Sequence, residues 1–459
     1  MWQQGNSKTT RANLGALGYS KVGLSSGVPH LRLISWDARE RPNMLRWPAK
    51  KDLLSEHEGN TTMLTKLTVR NFRSIEACDV ELGAITIFFG PTSAGKSTLF
   101  YALLVLRNFI LNPNQALDGL FNLGFQNLGG FDACIFDHVT SKALGVTAHF
   151  GKNRSYGVSF RKAEADVFVK CEFLDIAMKV PIPYAANQSM PVSYLSEDAS
   201  KEEYTINWNG FAATVSSKSG AASAQANAVT IAEALNAPAE AIKRVDVCPH
   251  RRGFFKPSYS PTPLTPTPTS EDEVATLLIN DPNAPPRISI NTVEIFDRDF
   301  RTHTVPGTAT TFLQTTEQKG ARIPGLVVND GTGVNQVVYM LAKIQRPDAE
   351  TILIEEPEVH LHPTVIRRFA RVLARLATED KKQLLFTTHS EQFLLSMLAC
   401  VKEKLLPSDH IKCYHVSREK KQTVFSPEQV SSDGQISGGL SSFMEGELQD
   451  IKTFLGVRE

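Results

Sequence analysis

Three stretches carry residues whose types and spacing could act together on one substrate. Gly90-Pro-Thr-Ser-Ala-Gly-Lys-Ser-Thr98 fits the pattern G-x-x-x-x-G-K-[ST]. Gly90 and Gly95 allow a turn in which the N–H groups of Thr92, Ser93 and Ala94, beyond Pro91, face a phosphate. Lys96 would reach the β- and γ-phosphates, Ser97 would place its hydroxyl on Mg2+, and Thr98 adds a contact further back. Glu350-Thr-Ile-Leu-Ile-Glu-Glu-Pro-Glu358 supplies a pair of neighbouring carboxylates. Glu355 would hold Mg2+ through water, and Glu356 would polarise an attacking water. Thr387-Thr-His-Ser390 puts His389 at the tip of an apolar run, where it could sense a γ-phosphate. Such a set describes ATP binding and hydrolysis.

The elements that must position these groups are legible in the flanking residues. The β-branched run Ile85-Thr-Ile-Phe-Phe89 predicts a strand entering the phosphate loop, and Leu99 to Ile110 predicts a helix leaving it. The helix N-terminus adds unpaired N–H groups and a positive dipole end, which favour an anion. Thr351 to Ile354 predicts a strand that ends at the carboxylates, because Pro357 cannot continue a ladder. Gln383 to Thr387 predicts the strand before His389. Strands are also predicted over Leu64–Arg70, up to Ile75, and over Val80–Leu82, with Arg70 and Arg73 as candidates to hold the nucleotide.

A fourth stretch, Val327-Val-Asn-Asp-Gly-Thr-Gly-Val-Asn-Gln-Val338, is a glycine-containing turn opening an apolar helix that runs to about Ile344. Its start cannot reach phosphates already gripped by Lys96 unless a second chain provides it. The expectation is therefore two chains sandwiching two ATP molecules, with Asn329, Asp330, Gly331, Thr332, Gly333 and Gln336 acting across the interface. Gln126, in the loop-like run Leu120 to Gly130, is a further candidate for Mg2+ or water, set against an ordinary loop amide.

Length and composition bound the rest. The 459 residues suggest two or three domains, and a net charge of +1 predicts no strong global field, so a nucleic-acid contact would need a local patch. No apolar run is long enough to span a bilayer, and no secretory h-region follows the first basic residues. The six cysteines, with no C-x-x-C pair, argue for reduced thiols in a cytoplasmic protein. Residues 1–62 lack periodicity and are read as a disordered extension, with Met63 as an alternative start. Residues 145 to about 182 alternate apolar and polar, which predicts antiparallel sheet. Ser216 to Ala228 is read as a mobile loop before a helix from about Val229 to Leu235. Pro257 to Thr269 is read as an extended tract without core residues, and Glu271 to Ile279 as a helix. His250-Arg-Arg-Gly-Phe-Phe-Lys256 offers cations and aromatics to phosphates and bases, or else is a solvated edge. Pro363 opens a helix whose apolar positions lie opposite Arg367, Arg368, Arg371 and Arg375. His360 and His362 are read as structural, and Asp297-Arg-Asp299 as a turn or strand end.

In this order the motifs resemble the ATP-binding cassette type of ATPase, in its RecF, Rad50 and SMC-like branch, and within it the OLD-family ATPases. The resemblance rests on Leu67-Thr-Val-Arg-Asn-Phe-Arg-Ser-Ile75, the phosphate loop, Asp330 to Gln336, Ile354 to Pro363, Thr387 to Ser390 and the closing Gly438-Gly-Leu-Ser-Ser-Phe-Met-Glu445. It implies an α/β fold: a P-loop ABC-type ATPase with a mixed central sheet, an antiparallel β subdomain and a mixed α+β insert. The ATPase halves would be residues 63–155 and 322–459, around an insert at 156–321. It also implies an ATP-driven dimer with Glu356 catalytic, His389 as the switch histidine and the Asp330 to Gln336 segment acting in trans. Departures narrow the reading. The signature is not Leu-Ser-Gly-Gly-Gln, no heptads support a coiled-coil arm, and the roughly 70 residues after the histidine motif are too few for the nuclease domain of full OLD proteins.

The leading expectation is a homodimeric or higher-oligomeric ATPase, using ATP and Mg2+, that regulates or loads a separately encoded nuclease or toxin, as in prokaryotic anti-phage defence. The alternative is a RecF-like clamp on duplex DNA, using Arg251, Arg252, Lys256 and the Arg367 to Arg375 helix. Cleavage through Asp297 and Asp299 is a third, minor reading.

Overall fold

The computed structural model describes residues 44–46 and 63–437, apart from 113, 152, 163, 172–173, 184–186, 196–200 and 321. The expected disordered extension and the closing Gly438 to Glu445 segment lie outside the described residues, save for Met44–Arg46, a three-residue strand.

The central sheet has six strands: β1 (Ile85–Phe89), β2 (Val245–Cys248), β3 (Thr351–Glu355), β4 (Gln383–Thr388), β5 (Ile411–Glu419) and β6 (Gln422–Glu428), in the spatial order β2-β3-β4-β1-β5-β6. Neighbours are parallel except β5 and β6, so the sheet is mixed. Strands β1 to β4 are buried along their length, as unbroken apolar runs covered on both faces must be. Side chains alternate between two cores. Phe88, Leu353 and Leu385 face one, while Ile87, Ile352, Ile354 and Phe386 face the other.

The first core also holds α1 (Lys96–Leu111) and an antiparallel sheet of six strands within Leu64–Pro181. In that sheet Arg154–Phe160 crosses the expected boundary at 155/156, and β2, inside the expected insert, is an edge strand of the central sheet. The second core holds α3 (Thr332–Ile344), α4 (Pro363–Thr378) and α5 (Glu391–Lys402).

Two sequence expectations are corrected. The expected loop up to Ala228 is largely helical, because α2 runs from Ala222 to Lys243. Its alanines are strong helix formers, and it carries Pro238 internally. The Pro257 to Thr269 tract does contribute to the core: Tyr259 is 3% exposed. Arg107 donates to the Pro266 carbonyl at 2.6 Å, and Tyr339 to that of Thr269 at 2.5 Å. Those partners lie far away in the sequence, so the tract's own composition could not reveal them. The following helix, Glu271–Asn280, starts in a capping box between Ser270 and Glu273. No disulfide joins the six cysteines, and no helix among the described residues is long and apolar enough to cross a membrane.

Candidate functional site

Parallel pairing brings the chemistry to one end of the central sheet. Thr388 pairs with Phe89 and Glu355 with Thr387, so the phosphate loop, His389 and the carboxylate pair leave adjacent strands at the same level. Ligand sites in open α/β sheets form at such carboxyl ends. A cavity of about 620 Å3 opens there, lined by Thr92, Ser93, Gly95, Lys96, Ser97, Thr98, Gln126, Glu356 and Thr387, with Arg73, Tyr101, Asp137, His138, Arg418 and Lys421 on its other walls.

The phosphate loop has the conformation its residues call for. Gly95 caps α1 in the left-handed region, at φ 100°, and a Cβ there would lie 2.2 Å from Thr423 Oγ1. Thr423, on β6, donates to the Ala94 carbonyl at 2.8 Å, and its backbone N–H donates to Ser74 at 2.7 Å. Lys96 donates to the carbonyls of Gly90 and Pro91, each at 2.9 Å. Burial holds its ammonium below its ordinary pKa, against the opposing charges of Glu356 and Glu358.

The two carboxylates diverge. Glu355 is 5% exposed, and its oxygens accept from the Tyr101 phenol at 2.9 Å and from the His250 N–H at 3.1 Å. Burial and the neighbouring Glu355 push the pKa of that phenol well up, so Tyr101 remains a donor. Glu356 takes φ 46°, and its N–H donates to Thr387 at 2.8 Å. That left-handed turn points its side chain away from Glu355 and into the cavity. Its Oε1 lies 3.1 Å from His389 Nδ1, and its Oε2 lies 3.2 Å from His250 Nδ1.

Several anticipated residues lie elsewhere. Arg70 is bonded to the Cys78 carbonyl and paired with Asp79 at 2.8 Å, leaving Arg73, in the turn after the strand Leu64–Phe72, at the cavity. Asn329, Gly331 and Thr332 are exposed and away from the cavity, and the half-buried Asp330 and Gly333 also lie outside it. Asp330 accepts from Arg298 at 3.1 Å, and Gln336 is buried in α3. Gly333 lies against the loop after the carboxylates, where a Cβ would stand 2.7 Å from the His360 carbonyl. His362 caps α4, consistent with a structural histidine. Asp297 pairs with Arg368 at 3.0 Å and Asp299 with Arg301 at 2.7 Å. No group of three or more His, Cys, Asp or Glu residues able to hold a metal occurs among the described residues.

Sequence reasoning missed Tyr101, Thr423 and the role of His250. Tyr101 lies four residues after Ser97 on α1, hence on the same helix face, and that spacing was the available signal. Thr423 and His250 come from separate strands and left no local one. Arg252, expected in a surface patch, is 3% exposed and donates to the carbonyls of Pro249, Glu355 and Glu356.

Comparison with known proteins agrees with this geometry. Residues 254–396 match the family described as "AAA domain, putative AbiEii toxin, Type IV TA system", and residues 66–106 match an AAA domain family. The chain is 24% identical over 362 residues to the OLD nuclease of Thermus scotoductus, an alignment covering 72% of this chain and 60% of that protein. It therefore spans about 60% of the length of that relative. The SMC head domain from Thermotoga maritima overlaps at TM-score 0.37 and 11% identity, over 79% of this chain and 98% of the other. An SmcHead bound to the C-winged helix domain of ScpA overlaps at 0.41 and 12%, over 79% and 97%. Overlap at that level is weaker than the strand order itself, which carries the fold assignment.

Proposed function

From a chain that is an ABC-type AAA ATPase related to the OLD family, we infer that it binds ATP with Mg2+, hydrolyses it, and closes as a dimer on the nucleotide to regulate a separately encoded effector. One observation carries the enzymatic part: Lys96, Ser97, Gln126 and Glu356 line one cavity, with His389 in contact with Glu356. The N–H groups of the phosphate loop and Lys96 would bind the β- and γ-phosphates. Glu356 would accept a proton from the attacking water, with His389 orienting its Oε1.

The donor set suits magnesium. A serine hydroxyl, a glutamine and a buried carboxylate form no all-protein cage, and Mg2+ takes most of its ligands from water and phosphate. Ser97 would hold it directly, Glu355 through water, and Gln126 from the facing loop. When bound, the ion neutralises charge on the β- and γ-oxygens.

The effector proposal rests on the chain's likeness to a family described with a toxin and to a relative named as a nuclease. The matched family's toxin and the relative's nuclease name two chemistries such an effector could have. The duplex-DNA alternative has less support, because most of its cations, though not the exposed Arg251 and Arg367, are engaged within the chain. Arg252 is buried, Lys256 pairs with Asp272, and Arg368, Arg371 and Arg375 pair with Asp297, Glu403 and Glu294.

Phosphate release from ATP tests the core of the proposal. Lys96→Ala should abolish nucleotide binding, and Glu356→Gln should bind ATP yet turn over at least about 100-fold more slowly. Equal turnover by Glu356→Gln and the parent chain would refute it. Binding to, and ATP-dependent control of, the products of neighbouring genes tests the effector half.

A further inference from the structure

We propose that His250 is a positioning residue for Glu356, the second of two imidazoles that bracket the carboxylate, one on each oxygen. The assignment rests on the ATPase reading above. His389 Nδ1 is 3.1 Å from Oε1 and His250 Nδ1 is 3.2 Å from Oε2. The two rings arrive from opposite sides: His389 follows β4, beside the phosphate loop, and His250 follows the edge strand β2. Cys248 pairs with Ile354, so Pro249 and His250 emerge level with Glu355 and Glu356.

The backbone around His250 is fixed at three points. Its N–H donates to Glu355 Oε2 at 3.1 Å. Arg252 ties the Pro249 carbonyl, at 3.0 Å, to that of Glu356, at 2.6 Å. Asn335, at the start of α3, exchanges bonds of 2.7 and 2.8 Å with the backbone of Phe254. The imidazole itself remains 61% exposed. An anchored backbone carrying an exposed ring suits a group that contacts a reacting residue, whereas a core histidine would be covered.

The bracket answers a geometric need. Glu356 sits in a left-handed turn after its strand ends, so the β ladder no longer fixes its side chain. A carboxylate held only through Oε1 could still rotate, and misplacing a base by about 1 Å costs up to about 100-fold in rate. With the His250 imidazole packed beside Oε2, Nδ1 3.2 Å away, the carboxylate cannot swing toward that side, and Oε1 stays directed at the cavity, where His389 and the water would share it.

The test uses the full chain. His250→Ala should lower kcat for ATP about 10-fold with KM within about twofold, because the residue sets the geometry of the base and not nucleotide affinity. His250→Asn, whose amide nitrogen sits close to the place of Nδ1, should recover most of the loss. A second readout is independent of turnover. In protein labelled with 15N-histidine, Glu356→Gln should move the ring resonances of His250 and His389 and leave those of His149 in place. Parental kcat in His250→Ala, or His250 resonances indifferent to Glu356→Gln, would overturn the assignment. A parent chain that hydrolyses no ATP would instead refute the ATPase reading, while the spectra still decide the bracket.

Discussion

Glu355, Glu356 and Glu358 lie within four residues yet occupy three environments. Glu355 is buried with both oxygens bonded, Glu356 faces the cavity, and Glu358 is 6% exposed. Glu358 has one oxygen on Thr388, at 2.5 Å, and the other without a partner. Burial pushes the Glu358 carboxyl above its ordinary value of 4.5, although the Thr388 bond opposes the shift. The native state thus holds this proton more tightly than the unfolded chain. The stability Glu358 contributes is full below pH 4.5 and is lost as pH rises through the raised native value. Glu358→Gln, which cannot ionise, should raise Tm at pH 8 by about 2 °C. That gain should vanish below pH 4.5, as thermal melts across pH would reveal.

At the scale of elements, the segment after β2 links parts that the sequence keeps apart. Through Arg252 and His250 it meets the carboxylate strand β3, and through Phe254 it meets Asn335 on α3. Asn335 is 6% exposed, so its replacement would leave the Phe254 N–H and carbonyl unpaired away from water. Asn335→Ala should cost about 2 kcal/mol or more, measured by urea unfolding, with little change in the denaturant slope. The same segment joins the hydrolysis site to the helix proposed to serve the partner's nucleotide. Much of it was legible only as a run of cations and aromatics. Arg252, one of the cations expected in a basic surface, is instead a buried brace, bonded to the carbonyls of Pro249, just past β2, and of Glu355 and Glu356, at the end of β3.

For the whole molecule the proposal turns on a second chain. Asn329, Gly331 and Thr332 are exposed and lie outside the cavity of their own chain. With Mg2+ and ATP, Glu356→Gln should therefore elute as a dimer by light scattering, and the Lys96→Ala protein should not. A Glu356→Gln monomer under those conditions would contradict the sandwich. Duplex-DNA binding measured over a salt series separates the alternative. A clamp loses affinity steeply as counterions compete, whereas a chain in which Arg368, Arg371 and Arg375 stay paired with their own carboxylates should give a weak or flat signal.

Local chemistry was determined by the sequence alone. The loop around Lys96, the strand ending at Glu355 and Glu356, and the strand ending at His389 each declare themselves through residue type, spacing and apolar pattern, because backbone preference and burial act over a few neighbouring residues. Only the tertiary structure decided which distant groups complete them. Tyr101 on Glu355, Thr423 beneath the phosphate loop, and His250 opposite His389 depend on strand order and register. Those are settled by how the whole sheet buries its two faces, and no short window of sequence encodes them.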